Sequence, residues 1–217
     1  MNARPGSTAN TGSPAPRPPA PRDPSGPYGV VMVCTGNICR SAMAHAVLVD
    51  RLAAADVPAV GPGAVAVTSA GVSDEEAGNP MDPRARLVLA EAGYGTGTDA
   101  ASLAVAAVIG THAAHRISDA ELRRADLVLA MTAAHHRALT RRAERLNVDP
   151  ARIRMFREFD PDAPDAATAS APSPSLDVPD PWYGTMADFM DTLDVVERVS
   201  DALAPGLAKL VGASGTR

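Results

Sequence analysis

The 217-residue chain predicts an α/β fold, a parallel sheet covered on both faces by helices. Two observations carry this. From Tyr28 onward, strand-like and helix-like runs alternate, and that alternation builds a parallel sheet with helices packed on it. The first strand-like run, Val30-Val31-Met32-Val33, is apolar at every position, as in a strand buried on both faces. The length fits one domain at the usual ~100–200 residues per domain.

Residues 1–27 come first and cannot bury a core. Eight of the 20 prolines lie before residue 28, and Ser13 to Pro27 contains no Val, Ile, Leu or Phe. A disordered Pro-rich tail is expected there, with the folded domain spanning 28–217. The Pro-x-x-Pro spacings Pro16–Pro19 and Pro21–Pro24 suit a polyproline ligand, but tail composition alone accounts for them. After Val30–Val33, the further strand candidates are Val65–Ser69, Asp126–Met131 and Arg152–Phe156. Helix starts lie between them. Asp82-Pro83 sets a cap before a proline at the first helical position. Ser118-Asp-Ala-Glu121 and Thr185-Met-Ala-Asp188 read as capping boxes, the second with Asp in place of Glu. The last helix repeats Phe189, Leu193, Val196, Val199 and Leu203, a stripe of period 3.6.

Composition excludes several classes. Lys and Arg number 20 and Asp and Glu 25, a net charge of −5 that speaks against a nucleic-acid partner. No apolar run approaches the ~20 residues of a membrane span, so no membrane partner is expected. The N-terminus lacks the apolar segment of a signal peptide. Two cysteines are too few for a disulfide framework. A cytoplasmic protein is expected.

In a parallel sheet the ligand site lies beyond the carboxyl ends of the strands, which directs attention to the residues after Val33. There the chain reads Cys34-Thr35-Gly36-Asn37-Ile38-Cys39-Arg40-Ser41, then an Ala-rich helix. A loop wrapped around a helix start aims backbone N–H groups inward as a cradle for an anion. Gly36 allows close approach of the backbone, and Asn37 tolerates a left-handed conformation. Arg40 offers a planar fork to two phosphate oxygens. The same positive field favours the nucleophilic thiolate of Cys34, and Ser41 is placed to donate a hydrogen bond to it. Two core cysteines would not explain Gly-Asn and Arg-Ser at this junction. Zinc would need four ligands where the pair offers two, so neither metal nor cofactor is expected.

The run Cys34 to Ser41 resembles the signature loop of the low-molecular-weight protein tyrosine phosphatases. The likeness extends from about Val30 to Leu207, through Thr68-Ser-Ala-Gly71, Gly78-Asn-Pro80, Asp82-Pro-Arg-Ala85, Asp126–Met131 and Asp177-Val-Pro-Asp-Pro-Trp-Tyr-Gly184. It implies a four-stranded parallel sheet and metal-free, two-step hydrolysis of phosphotyrosine proteins through a phosphocysteine. By that resemblance Cys34 is the nucleophile, Arg40 stabilises the transferring phosphoryl group and Asp180 is the general acid. Asp180-Pro181 alone would read as a turn; the likeness prefers Asp180 over the nearby Asp177. Thr35, Gly36, Asn37, Ile38, Cys39 and Ser41 form the substrate cradle, and Trp182 and Tyr183 wall a phenyl ring. Asn37 is implied to be held by hydrogen bonds to Ser69 and His112. Cys39 would capture an oxidised Cys34 as a reversible disulfide, as in some members. His115, His135 and His136 match no such role and are expected to face solvent, and Arg137, Arg141 and Arg145 to form a solvated helix face.

The sequence departs from the family pattern in places. Glu75 stands where a rim aromatic is usual, which puts negative charge beside a dianionic substrate. Thr132 replaces a usual Asp at a strand end and removes one expected supporting contact. Residues 95–110 read as an insertion before His112, with Asp99 as a possible cap, and Pro161–Ser175 as a longer, mobile stretch. An arsenate reductase of this fold would need further cysteines, and none follows Cys39. A protein-arginine phosphatase would carry Thr in place of Ile38. A phosphotyrosine-binding protein with weak or lost turnover would have no need of Cys34, Arg40, Ser41 and Asp180 together, while the departures at Glu75 and Thr132 keep that alternative open.

Overall fold

A computed structural model describes residues 16–163 and 172–214. Strand β1 (Tyr28–Cys34) leads through the loop into helix α1 (Arg40–Ala54), and β2 (Val65–Gly71) follows. Helices α2 (Pro83–Glu91), α3 (Ala100–Gly110) and α4 (Asp119–Arg124) precede β3 (Leu127–Ala130). Then come α5 (Ala133–Arg145), β4 (Ile153–Met155) and the long α6 (Met186–Ser214). The sheet is four-stranded and wholly parallel, in the order β2-β1-β3-β4, with Val30 in register with Val67 on one side and Leu127 on the other. No helix among the described residues is long and apolar enough to cross a membrane.

The pleat divides the core. Val30 and Met32 of β1 join the cluster under α1, α2 and α6, while Val31 and Val33 join the cluster under α4 and α5. Burial on both faces is why this strand is apolar throughout. The expected stripe on α6 is buried from Phe189 to Leu203 and continues through Leu207 and Val211, past Pro205, which lacks an N–H to donate within the helix. Asp82 caps α2 by accepting from the Arg84 N–H at 2.8 Å, and Ser118 and Glu121 form a reciprocal capping box on α4. At α6 only half of the expected box forms: the Asp188 carboxylate accepts from both the N–H and the hydroxyl of Thr185.

One expectation needs correction. Residues 16–27, read as part of a disordered tail, lie against the body of the domain. Asp126 accepts from the Arg22 N–H at 2.6 Å, Tyr28 donates its hydroxyl to the Pro19 carbonyl, and Arg152 donates to the Ala20 carbonyl. A Pro-rich segment offers few donors and no large apolar side chains of its own, but its carbonyls remain acceptors for side chains of the domain. The rest of the tail, 1–15, lies outside the described residues. The insertion at 95–110 forms helix α3 over its residues 100–110, capped as expected by Asp99 on the Ser102 N–H at 3.0 Å and packed against α1. Part of the stretch expected to be mobile, 164–171, also lies outside the described residues. Just after it, Leu176 is buried in a short 3₁₀ turn.

Candidate active site

The sheet order changes direction at β1, whose neighbours β2 and β3 lie on opposite sides, and the loop after β1 occupies the crevice this creates. Its backbone is tightly fixed. Asn37 adopts the left-handed conformation, φ 62°, that its short polar side chain tolerates. A Cβ at Gly71 would run into the Thr35 carbonyl, so glycine lets β2 lie close beneath the loop. Val72 donates to the Cys34 carbonyl and Ser73 to that of Thr35. None of the hydrogen bonds among the described residues uses the N–H of Gly36, Ile38 or Cys39.

Cys34, buried at the end of β1, receives the Asn37 N–H at 3.3 Å and lies 3.0 Å from the Ser41 hydroxyl. The Asn37 side-chain amide donates to Ser41 Oγ at 3.0 Å, which leaves the Ser41 proton free to point at the sulfur. Two donors therefore converge on Sγ. Arg40 opens α1 and is 4% exposed. It donates to the Asp180 carboxylate at 2.5 Å and to the Val178 carbonyl at 3.3 Å, while its Nε is buried with no hydrogen-bond partner. A buried guanidinium N–H without an acceptor is costly and marks a place for an oxyanion.

Cys34, Thr35, Gly36, Ile38, Cys39 and Arg40 form the floor of a cavity of about 220 Å³. Asp180, Trp182 and Tyr183 form one side, and Glu75 and Glu76 complete the lining. All the predicted nucleophile, cradle and acid residues thus meet around one space, with Asn37 and Ser41 directly behind it. Tyr183 is 93% exposed and Trp182 37%, so the aromatic wall stands at the mouth. Arg84 braces it by donating to the Trp182 carbonyl at 3.2 Å and stacking over the Trp182 and Phe189 rings. Cys34 and Cys39 are free thiols, and burial, reinforced by the Asp82 charge, pushes the Cys39 thiol upward from its ordinary value.

The support behind the loop differs from expectation in one respect. His112 reaches the Asn37 carbonyl, Nε2 to O 2.6 Å, so α3 leaves it in place. Ser69 is not a partner of Asn37. The Asn37 side chain is held instead by Ser41, to which its amide donates, and by the backbone N–H of His115, which its oxygen accepts at 3.2 Å, so both of its ends are already engaged.

The histidines also need correction. His115 is exposed, as expected, and pairs with Glu121. His136 is half-buried, with Nε2 3.0 Å from the Ile153 carbonyl. His135 is 6% exposed and turns inward, its Nε2 2.9 Å from Thr35 Oγ1. Burial, with the Arg40 charge nearby, holds it down at about 4, so the ring is neutral. Thr132 does not leave a gap: it caps α5, accepting the His135 N–H at 3.2 Å, while Asp177 accepts the Ala133 N–H at 2.6 Å. A signal for these residues was present. The rule that pointed beyond β1 applies equally beyond β3, where Thr132 to His135 begin the next helix.

The model of the low molecular weight phosphotyrosine protein phosphatase family matches residues 29–213. The chain belongs to that family. A relative within it, the low molecular weight protein-tyrosine-phosphatase of Streptomyces coelicolor, is 38% identical over 184 residues, 85% of this chain and 96% of that protein. The low molecular weight protein-tyrosine phosphatase A of Mycobacterium tuberculosis is 37% identical over 183 residues, 84% of this chain and 91% of that one. Among solved structures, the YwlE arginine phosphatase of Bacillus subtilis, captured with a phosphorylated active-site serine in a mutant, superposes with a TM-score of 0.60 at 25% identity. That alignment covers 84% of this chain and 97% of the other. Family members are metal-independent, cysteine-based hydrolases.

Proposed function

We propose that the protein hydrolyses phosphotyrosine in proteins, and small aryl phosphates, through a phosphocysteine on Cys34. One observation carries the reading: a buried sulfur receiving two hydrogen bonds lies at the floor of a cavity that also holds a buried, partly unpartnered guanidinium. The two donors stabilise a thiolate, and loop amides together with Arg40 suit the equatorial oxygens of a phosphoryl group. In the first step Sγ attacks phosphorus, an S–P bond forms, and the P–O bond to the phenol breaks. Asp180 gives its proton to the departing phenolate oxygen. In the second step a water attacks phosphorus, Asp180 takes the water's proton, and the S–P bond breaks to return the Cys34 thiolate and release phosphate. Ser41, by donating to Sγ, makes the sulfur a better leaving group. Two free thiols in such a site suit the reducing cytoplasm.

Ile38 favours a tyrosine over an arginine substrate, since it presents an apolar, 7% exposed side chain to the cavity. The test is turnover, without added metal, of a phosphotyrosine peptide, p-nitrophenyl phosphate and a phosphoarginine peptide, by wild type and Cys34→Ser. The two aryl esters should be hydrolysed faster than phosphoarginine, and the variant should fall below about 1% of wild type, a loss of about 2.7 kcal/mol. Faster turnover of phosphoarginine would move the substrate assignment. Full activity in the variant would remove Cys34 as nucleophile.

A further inference from the structure

We propose that His135 is a positioning residue for this site, holding the Thr35 hydroxyl so that Thr35 steers Arg40 toward the bound phosphoryl group. The proposal rests on the phosphatase reading above for its chemistry and on a separate set of contacts for its geometry. Arg40 Nη2 donates to Asp180 at 2.5 Å and to Thr35 Oγ1 at 3.4 Å, so one guanidinium nitrogen is divided between the acid loop and the phosphate loop. Thr35 is an exposed residue of the cavity lining, where an untethered hydroxyl would rotate freely. His135 removes that freedom from behind, with Nε2 2.9 Å from Oγ1.

A guanidinium can only donate, so Thr35 must turn a lone pair to Arg40 in either histidine tautomer. If Nε2 carries the proton, Oγ1 accepts from both neighbours and its own hydrogen is left to donate to a phosphoryl oxygen. If Nδ1 carries it, Thr35 donates to Nε2. In both cases a neutral ring fixes the hydroxyl without adding a second cation beside Arg40. His135 Nδ1 is buried without a partner, an unpaired polar atom retained in the first turn of α5 where an apolar side chain would pack at less cost. The same turn is tied to the acid loop through Asp177 on the Ala133 N–H. The start of α5 therefore touches both loops that Arg40 joins.

The experiment compares His135→Ala, Thr35→Val, the double variant and His135→Gln, measuring inorganic phosphate affinity by calorimetry and kcat on p-nitrophenyl phosphate. Thr132→Ala, which removes the α5 cap, is the control for loosening of the helix. His135→Ala and Thr35→Val should each weaken phosphate binding and lower kcat by about tenfold. The double variant should lose no more than either single one, because both break the same relay. His135→Gln, which keeps a group able to bond Oγ1, should recover most of the loss. Thr132→Ala should lower Tm while phosphate affinity stays within about twofold. Multiplicative losses in the double variant, no recovery with Gln, or an equal loss of affinity in Thr132→Ala would each overturn the proposal. Phosphate binding reads the relay even without catalysis, so a wild type that binds phosphate but fails to turn over would count against the phosphatase reading alone.

Discussion

Two aspartates, Asp177 and Asp180, sit three residues apart on one Pro-stiffened loop, and their surroundings separate them. Asp180 is exposed at the cavity, with one oxygen on Arg40 at 2.5 Å and the other receiving the Trp182 N–H at 3.2 Å. Asp177 is committed to the start of α5 through Ala133. Asp180→Ala should therefore slow phenyl phosphate, a poor leaving group, by about 100-fold or more, and p-nitrophenyl phosphate much less. Asp177→Ala should cost about 1 kcal/mol of stability as a lost helix cap, with the leaving-group dependence unchanged. Steady-state rates on both esters decide this, and equal slowing of the two by Asp180→Ala would remove it as general acid. At this scale Cys34 and Arg40 stand out in the sequence of their own loop, whereas Asp180 stands out only through the family likeness, since Asp180-Pro181 alone reads as a turn. The pairing of Asn37 with Ser41 was not legible, since it depends on which way one left-handed residue turns its side chain.

The segment after β2 carries the clearest departure in an element. Glu75 and Glu76 line the cavity together with Trp182 and Tyr183, with Glu76 held by Asn79 at 2.7 Å and Glu75 in no ion pair among the described residues. A Cβ on Gly36 would meet Glu76 Cγ at 2.8 Å, so the acidic turn lies directly against the phosphate loop. Charge at that position should disfavour substrates with Asp or Glu beside the phosphotyrosine and favour Lys or Arg. Glu75→Gln should lower the KM of an acidic phosphopeptide by about two- to fivefold at low salt and leave a basic one unchanged or weaker, with the difference fading at high salt. An unchanged ratio of the two KM values would show that the rim does not read flanking charge. Helix starts were legible through Asp82, Asp99 and Ser118, whose caps are local chemistry. The docking of 16–27 was not, because the bonds that hold it come from Asp126, Arg152 and Tyr28 far along the chain or at its edge.

Across the whole molecule, the buried histidines tie stability to pH. Burial holds His45 down at about 4, helped by His112, and His135 at about 4, helped by Arg40, against an ordinary value of 6.5. Between those values the unfolded chain binds protons that the folded chain does not, so stability is full above pH 6.5 and falls as pH drops toward 4. The effect is on the order of 3 kcal/mol per histidine. Although burial opposes it, hydrogen bonds from Arg198 and Arg157 hold the Asp160 carboxyl below its ordinary 3.8, so carboxylates of that kind act in a lower window. Urea midpoints between pH 7 and pH 4 should show this decline, and His45→Gln, away from the cavity, should remove about half of it. A flat profile in wild type would contradict the neutral, buried state of both rings. The parallel sheet and the position of its site were legible from the alternation of elements. The inward turn of His135 was not, because one helix face meets the phosphate loop only once β1 and β3 are paired.

The most direct test of the central claim is chemical capture of the intermediate. Asp180→Ala supplied with p-nitrophenyl phosphate, whose leaving group needs little protonation, should accumulate phosphoenzyme because the second step lacks its base. Rapid quenching followed by peptide mass spectrometry should find the phosphoryl group on the peptide from Val33 to Arg40, attached at Cys34, and should find none in the same variant carrying Cys34→Ala. A phosphoryl group on any other residue, or release of p-nitrophenol at full rate with no phosphoenzyme at any time, would contradict hydrolysis through Cys34.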